Sequence, residues 1–143
     1  MHAPENYRYS TIIPIRYGDM DTLGHVNNAK YLTYLEQSRI SYIRDRGLWD
    51  GSVSTQGLII ARIEIDYRAP ISMDDGQAIV WTRASRIGNK SFDMTQTVLV
   101  ERGNQVVTAA EAKTVIVVYD YTAGVTVPIP ESWRALITSF DSL

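Results

Sequence analysis

The sequence predicts an α+β domain in which one long helix near the start is followed by an antiparallel sheet of about five strands. Three observations predict it. Residues 57–69 (GLIIARIEIDYRA) place apolar side chains at Ile59, Ala61, Ile63, Ile65, Tyr67 and Ala69, with Arg62, Glu64, Asp66 and Arg68 between them. A period of two is that of a strand with one wet face. Residues 29–46 instead repeat Tyr31, Leu32, Leu35, Tyr42 and Ile43 at helical spacing, with Lys30, Glu36, Gln37, Arg44 and Asp45 on the polar side. Turn residues then recur at SMDDG (72–76), Gly88-Asn89 and Gly103-Asn104, dividing the second half of the chain into consecutive strands.

The elements follow in order. Residues 9–17 (YSTIIPIRY) form a first strand, and Pro14 marks it as an edge or a bulge. Residues 18–28 (GDMDTLGHVNN) are a loop rich in Gly, Asp and Asn. Asn27 or Asn28 caps the helix and Gly47 stops it. Strands over 57–69, 77–87, 91–101 and 105–119 come next. Pro128 and Pro130 introduce a short amphipathic C-terminal helix carrying Trp133, Leu136, Ile137 and Phe140. No repeat or linker divides residues 1–143, so they read as a single domain. One helix cannot cover both faces of such a sheet, which points to self-association.

Composition narrows the function. A net charge of −2 and a pI near 5.6 argue against general nucleic-acid binding. Eleven arginines and three lysines still allow a local patch for a phosphorylated ligand. The absence of cysteine excludes disulfides, thiolate metal sites and a cysteine nucleophile. No run approaches the ~18 apolar residues of a membrane span, and the first residues lack a signal-peptide core. The expectation is a cytoplasmic protein with no membrane partner. No histidine–carboxylate cluster suggests a metal; His2 and His25 are the only histidines. Serine-hydrolase elbows and phosphate-binding glycine loops are also missing.

The chemistry concentrates in residues 16–39, RYGDMDTLGHVNNAKYLTYLEQSR. Asp19 and Asp21 lie in a glycine-bearing loop just before a helix. A helix N-terminus offers unpaired N–H groups that polarise a carbonyl and stabilise an oxyanion. A neighbouring carboxylate attacks or activates water. The same residues also suit an ordinary turn and cap.

Tyr17, Gly18, Asp19, Met20, Asp21, Thr22, Leu23 and Gly24 resemble the signature of the 4-hydroxybenzoyl-CoA thioesterase branch of the hotdog superfamily. GHVNNAKYL resembles the subset acting on fatty acyl thioesters. IEIDYRAPISMDDG (63–76) and IGNKSF (87–92) extend the likeness to about 110 residues. The resemblance implies the hotdog fold, a long central helix wrapped by a curved antiparallel sheet. It implies hydrolysis of an acyl-CoA to free acid and CoA, with no cofactor beyond the CoA of the substrate. Asp21 aligns with the catalytic carboxylate, as nucleophile or general base, and the Asn28 backbone N–H with the carbonyl-polarising group. His25 either activates water beside Asp21 or packs in the loop. Asp19 binds loop amides. Glu36 falls where another branch carries its acid, and here it has Arg39 three residues on. Lys90 and Ser91 match the turn beside the CoA nucleotide, with Arg83 and Arg86 on the preceding strand as further phosphate ligands. The resemblance also implies a homodimer, often paired into a tetramer.

Rival readings remain. A plant-type acyl-ACP thioesterase would carry Asn at the position of Leu23. A hydratase would place its histidine five positions after Asp, whereas His25 follows Asp19 by six and Asp21 by four. A non-catalytic acyl-CoA-binding module would share the fold. Tyr31, Tyr34, Trp81 and Phe92 read as core or interface residues.

Overall fold

The computed structural model describes residues 2–49 and 56–143. Strand β1 spans Tyr9–Pro14, helix α1 Asn28–Asp45, and β2 Gln56–Tyr67. Strands β3 (Gln77–Ile87), β4 (Ser91–Arg102) and β5 (Gln105–Asp120) follow, then a short β6 (Val125–Thr126) and α2 (Glu131–Asp141). The strand order is β1-β3-β4-β5-β2, every pair is antiparallel, and β6 adds to β5. Pro14 lies on an edge strand, where a missing N–H does not interrupt the ladder. Strand β6 has no counterpart in the sequence reading, and the first strand, expected over 9–17, ends at Pro14 because Tyr17–Asp19 form a 3-10 turn.

Helix α1 is 18 residues long and lies against one face of the sheet. Asn27 is its cap: the side-chain oxygen accepts from Ala29 N at 2.9 Å. Gly47, at φ +79°, takes the left-handed conformation that ends the helix. The helix buries Tyr31, Tyr34, Leu35, Ser38, Arg39, Tyr42 and Ile43, while Leu32 faces solvent. Two apolar clusters result. One gathers Tyr31, Tyr34 and Leu35 with Ile71, Val80 and Val98. The other gathers Tyr42 and Ile43 with Phe92, Met94, Ile116 and Ile137. Each fully buried aliphatic or Phe side chain contributes roughly 1.5–3 kcal/mol.

A polar layer separates the clusters. The Ser38 hydroxyl lies 2.8 Å from that of Thr82, and Gln96 Nε2 donates to Leu35 O and Thr82 Oγ1, both at 3.0 Å. Arg39 turns into this layer instead of closing an ion pair with Glu36 at hydrogen-bonding range. Its Nη1 donates to Gln96 Oε1 at 3.3 Å and Thr114 Oγ1 at 3.4 Å.

The alternation in 57–69 holds only in part. Ile63 and Ile65 are half-buried as expected, but Ala61 is exposed. A register shift between Ile60 and Arg62 makes Ala61 the extra residue of a bulge, which resets the parity of the strand. At the far end, α2 docks through Asp141, which accepts from Ala84 N at 2.8 Å and from the Tyr42 hydroxyl. Among the described residues, no helix is long and apolar enough to cross a membrane.

Candidate active site

The segment between β1 and α1 closes into a small hairpin. Asn27 N donates to Asp19 O at 2.8 Å, Met20 bridges Val26, and Asp21 N donates to His25 O at 2.8 Å. Gly24 makes the reversal at φ +84°, a conformation that disfavours any side chain. Val26 N then donates to Ile71 O at 2.8 Å, tying the hairpin to the loop that leads from β2 into β3.

Asp21 is half-buried in this hairpin. Its Oδ1 accepts from Leu23 N at 2.9 Å and His25 N at 3.2 Å, so the loop holds one carboxylate oxygen. Oδ2 has no hydrogen-bond partner among the described residues. The His25 side chain is exposed, and its backbone rather than its imidazole engages Asp21. Ahead of the hairpin, the Ala29 amide is taken by Asn27, but the Asn28 N–H has no acceptor among the described residues. It is an open donor at the positive end of α1. The Tyr67 hydroxyl donates to Asn28 O at 2.9 Å and fixes that first turn from β2.

Asp19 anchors the whole assembly. It is buried, and it accepts from Arg16 N at 3.0 Å, Arg16 Nη2 at 3.2 Å and the Tyr34 hydroxyl at 2.7 Å. Burial alone would raise its pKa; the Arg16 amide, the Tyr34 hydroxyl and the Arg16 guanidinium outweigh it and hold the carboxyl below its usual range. The cost falls on Tyr34, whose hydroxyl is pushed well above its ordinary pKa by burial and by Asp19. The sequence reading gave Asp19 its amide contact and put Tyr34 in the core. It missed their bond, because no local spacing rule joins residues fifteen positions apart.

The other expected residues lie elsewhere. Lys90 is exposed and Ser91 half-buried in the β3–β4 turn. That turn is pinned by Val118 N to Lys90 O at 3.0 Å and by Arg134 Nη2 to Gly88 O at 2.9 Å. It sits at the end of β3 away from the hairpin; eleven residues at about 3.3 Å each separate them by on the order of 30 Å. Arg83 is half-buried on the sheet face opposite α1, with Nε lacking a partner, and Arg86 lies 3.9 Å from Asp93. One chain therefore does not bring Asp21 together with Lys90, Ser91, Arg83 and Arg86. Glu36 is exposed two turns along α1 from Asn28. Among the described residues, no group of three or more His, Asp or Glu could hold a metal ion.

A family model, the thioesterase-like superfamily, matches residues 15–137. The chain belongs to that superfamily. The match takes in the hairpin, α1, all four long strands after it and most of α2, and with it the thioester-hydrolase class expected from the sequence stands. Solved superfamily members share the fold. A thioesterase superfamily protein from Jannaschia sp. CCS1 is 26% identical, with a TM-score of 0.88 over 98% of this chain and 87% of its own. A thioesterase from Thermus thermophilus, crystallised with coenzyme A and zinc, is 30% identical, with a TM-score of 0.81 over 98% of both chains. The long-chain acyl-CoA thioesterase FadM of Escherichia coli strain K12 is 29% identical over 110 residues, 70% of this chain and 76% of FadM.

Proposed function

We propose that the protein hydrolyses a long-chain acyl-CoA to the free acid and CoA, with Asp21 as the catalytic carboxylate. The observation that carries this is the pairing of Asp21, half-exposed with a free Oδ2, with the unoccupied Asn28 N–H in one rigid hairpin-to-helix unit. The thioester carbonyl accepts from the Asn28 amide and the helix end stabilises the oxyanion. Asp21 Oδ2 either attacks the carbonyl carbon and expels the CoA thiolate, leaving an acyl–Asp21 anhydride that water hydrolyses to the free acid, or takes a proton from the attacking water as the CoA thiolate leaves. Similarity to FadM supports CoA as carrier and a long acyl chain.

The proposed working unit is a homodimer. Among the described residues, strand β2 pairs only with β5 and leaves its outer edge open, which favours strand addition. Ile40, Trp49, Ile60 and Tyr67 are exposed near this edge. The C-terminal end of β2 touches Asn28, and its N-terminal end lies at the Asp120 end of β5, by the Lys90 turn. An antiparallel, twofold pairing of two β2 strands sets opposite ends side by side. The Lys90 turn of one subunit then approaches Asp21 of the other, which unites the catalytic group with Lys90 and Ser91 as CoA ligands.

Thiol release from acyl-CoAs of graded chain length, alongside the matching acyl-ACPs, tests the reading. Turnover should be highest on long acyl-CoAs. Faster turnover on acyl-ACP would change the carrier, and tight binding without turnover would make the protein an acyl-CoA-binding module.

A further inference from the structure

Strand β2 ends at Tyr67, and residues 68–76 carry the chain across to β3. One acidic side chain organises this loop. Only 4% of the Asp75 side chain is exposed, and its carboxylate accepts three hydrogen bonds. Arg102 Nε donates to Oδ1 at 2.8 Å and Arg102 Nη2 to Oδ2 at 2.9 Å. These are the two parallel bonds that a planar guanidinium makes with a carboxylate. The Ser72 N–H donates to Oδ2 at 2.9 Å. Arg102 Nη2 also donates to Pro70 O at 2.7 Å, so one guanidinium holds the loop on both sides of Ile71.

The Ser72 N–H and the Ile71 C=O belong to a single planar peptide group. Asp75 fixes its N–H end, and its C=O end accepts from Val26 N at 2.8 Å. A carboxylate at the N–H end also makes the C=O end a stronger acceptor. Val26 belongs to the hairpin that carries Asp21. The bonds on either side of it, Asp21 N to His25 O and Asn27 N to Asp19 O, stay within the hairpin, whereas that of Val26 leaves it. A continuous path of hydrogen bonds therefore starts at Arg102, the last residue of β4. It passes through Asp75 and one rigid peptide and ends two residues before Asn28.

We propose that Arg102 is a positioning residue for the reaction: through Asp75 and the Ile71–Ser72 peptide it sets where the hairpin holds Asp21 relative to the Asn28 N–H. The catalytic consequence rests on the thioesterase reading above; the brace itself does not. A pair that served stability alone would lower the melting temperature and leave kcat of the folded protein unchanged.

Two substitutions in the intact protein test it. Arg102→Gln removes the charged fork, and Arg102→Lys keeps the charge on an ammonium that cannot make two parallel bonds. At a temperature where both are folded, kcat on a long acyl-CoA should fall roughly tenfold to hundredfold in Arg102→Gln and by less in Arg102→Lys. KM should stay within about twofold, since the path touches no substrate ligand. Amide exchange followed by NMR reads the brace directly. The Val26 N–H should exchange at least about tenfold faster in Arg102→Gln, with the Asn27 N–H near its parent rate. Asp75→Asn combined with Arg102→Gln should lose no more kcat than the worse single variant, because both act along one path. The Arg102→Lys arm stands even if Arg102→Gln fails to fold. Parent-like kcat in the folded variants, a loss confined to KM, parent-like exchange at Val26, or additive losses in the double variant would each overturn the proposal. A parent protein that turns over no thioester would count against the proposed function, and exchange at Val26 alone would then decide the brace.

Discussion

Replacing Asp21 with Asn separates chemistry from scaffold more cleanly than any other single change. Oδ1 carries the loop contacts, to Leu23 N at 2.9 Å and His25 N at 3.2 Å, and an Asn side chain keeps an oxygen there. The charge that strengthens those two bonds is lost, but the group is half-exposed and screened. The stability cost should therefore be about 1 kcal/mol or less. The charge on Oδ2 has no structural partner among the described residues, so under the proposed mechanism its removal falls on the reaction. Loss of a general base lowers rates by ~10²–10⁴, or about 2.7–5.4 kcal/mol of barrier. The kinetic effect thus exceeds the structural one several-fold. Steady-state hydrolysis of a long acyl-CoA should show the fall in kcat with KM little changed. Thermal melting should show a shift of no more than a few degrees. A folded variant with kcat within threefold of the parent would refute the assignment. If His25→Ala then lost activity, a histidine-centred mechanism would replace it.

Other consequences are open to measurement. Lys90→Ala should raise KM for acyl-CoA and leave a truncated thioester without the nucleotide unaffected; equal losses on both would indicate damage to the fold. Tyr34→Phe removes a hydroxyl from a buried carboxylate and should cost about 1.5–3 kcal/mol, seen as a lower melting temperature at neutral pH with activity partly retained. Asp19 and Asp75 are both held below their usual pKa, Asp75 chiefly by the paired bonds from Arg102 at 2.8 and 2.9 Å. A depressed carboxyl stabilises the fold above its unfolded pKa of about 4 and loses that contribution as pH falls through the folded value. Melting temperatures should thus drop below about pH 4, and Asp75→Asn should flatten that limb; an unchanged limb would remove the ion pair from the account. Sedimentation at micromolar concentration should show no stable monomer, and an active monomer would exclude a site shared between chains.

The parts of the fold legible in the sequence are those set by local rules. Helical spacing placed α1 within one residue at each end, because Asn27 caps it and Gly47 reverses the chain. Glycine turns placed the β3–β4 and β4–β5 hairpins. The bulge at Ala61 escaped, since it depends on how β2 meets β5, and nothing in an alternating pattern announces an extra residue. Arg39 escaped for the same reason. Its charge reads as solvent-facing, but its place in the polar layer comes from Gln96 and Thr114 on strands far along the chain. In the candidate site, Asp21 and Asn28 could be read from a motif because one short hairpin carries both. Tyr34 and Tyr67, which brace that hairpin and the first helical turn, could not, because those contacts arise only when α1 and β2 have packed.

The distance between Asp21 and Lys90 bears on assembly. Sequence likeness puts both at one substrate, yet a single chain holds them at opposite ends of β3. A CoA chain folded back on one subunit would have to cross the length of the sheet to reach both. Antiparallel pairing of the open β2 edges removes that difficulty without moving any residue, since it reverses one sheet against the other. It also completes backbone hydrogen bonding along the longest unpaired strand and covers Ile60 and Tyr67. One arrangement would therefore answer three separate features, namely the open edge, the exposed apolar residues beside it and the separation of the proposed substrate ligands. Disrupting the edge gives the decisive comparison. A proline at Arg62, an exposed β2 position, should yield monomers that retain the hairpin and lose turnover on acyl-CoA. Monomers with full turnover would mean that Lys90 belongs to no substrate site.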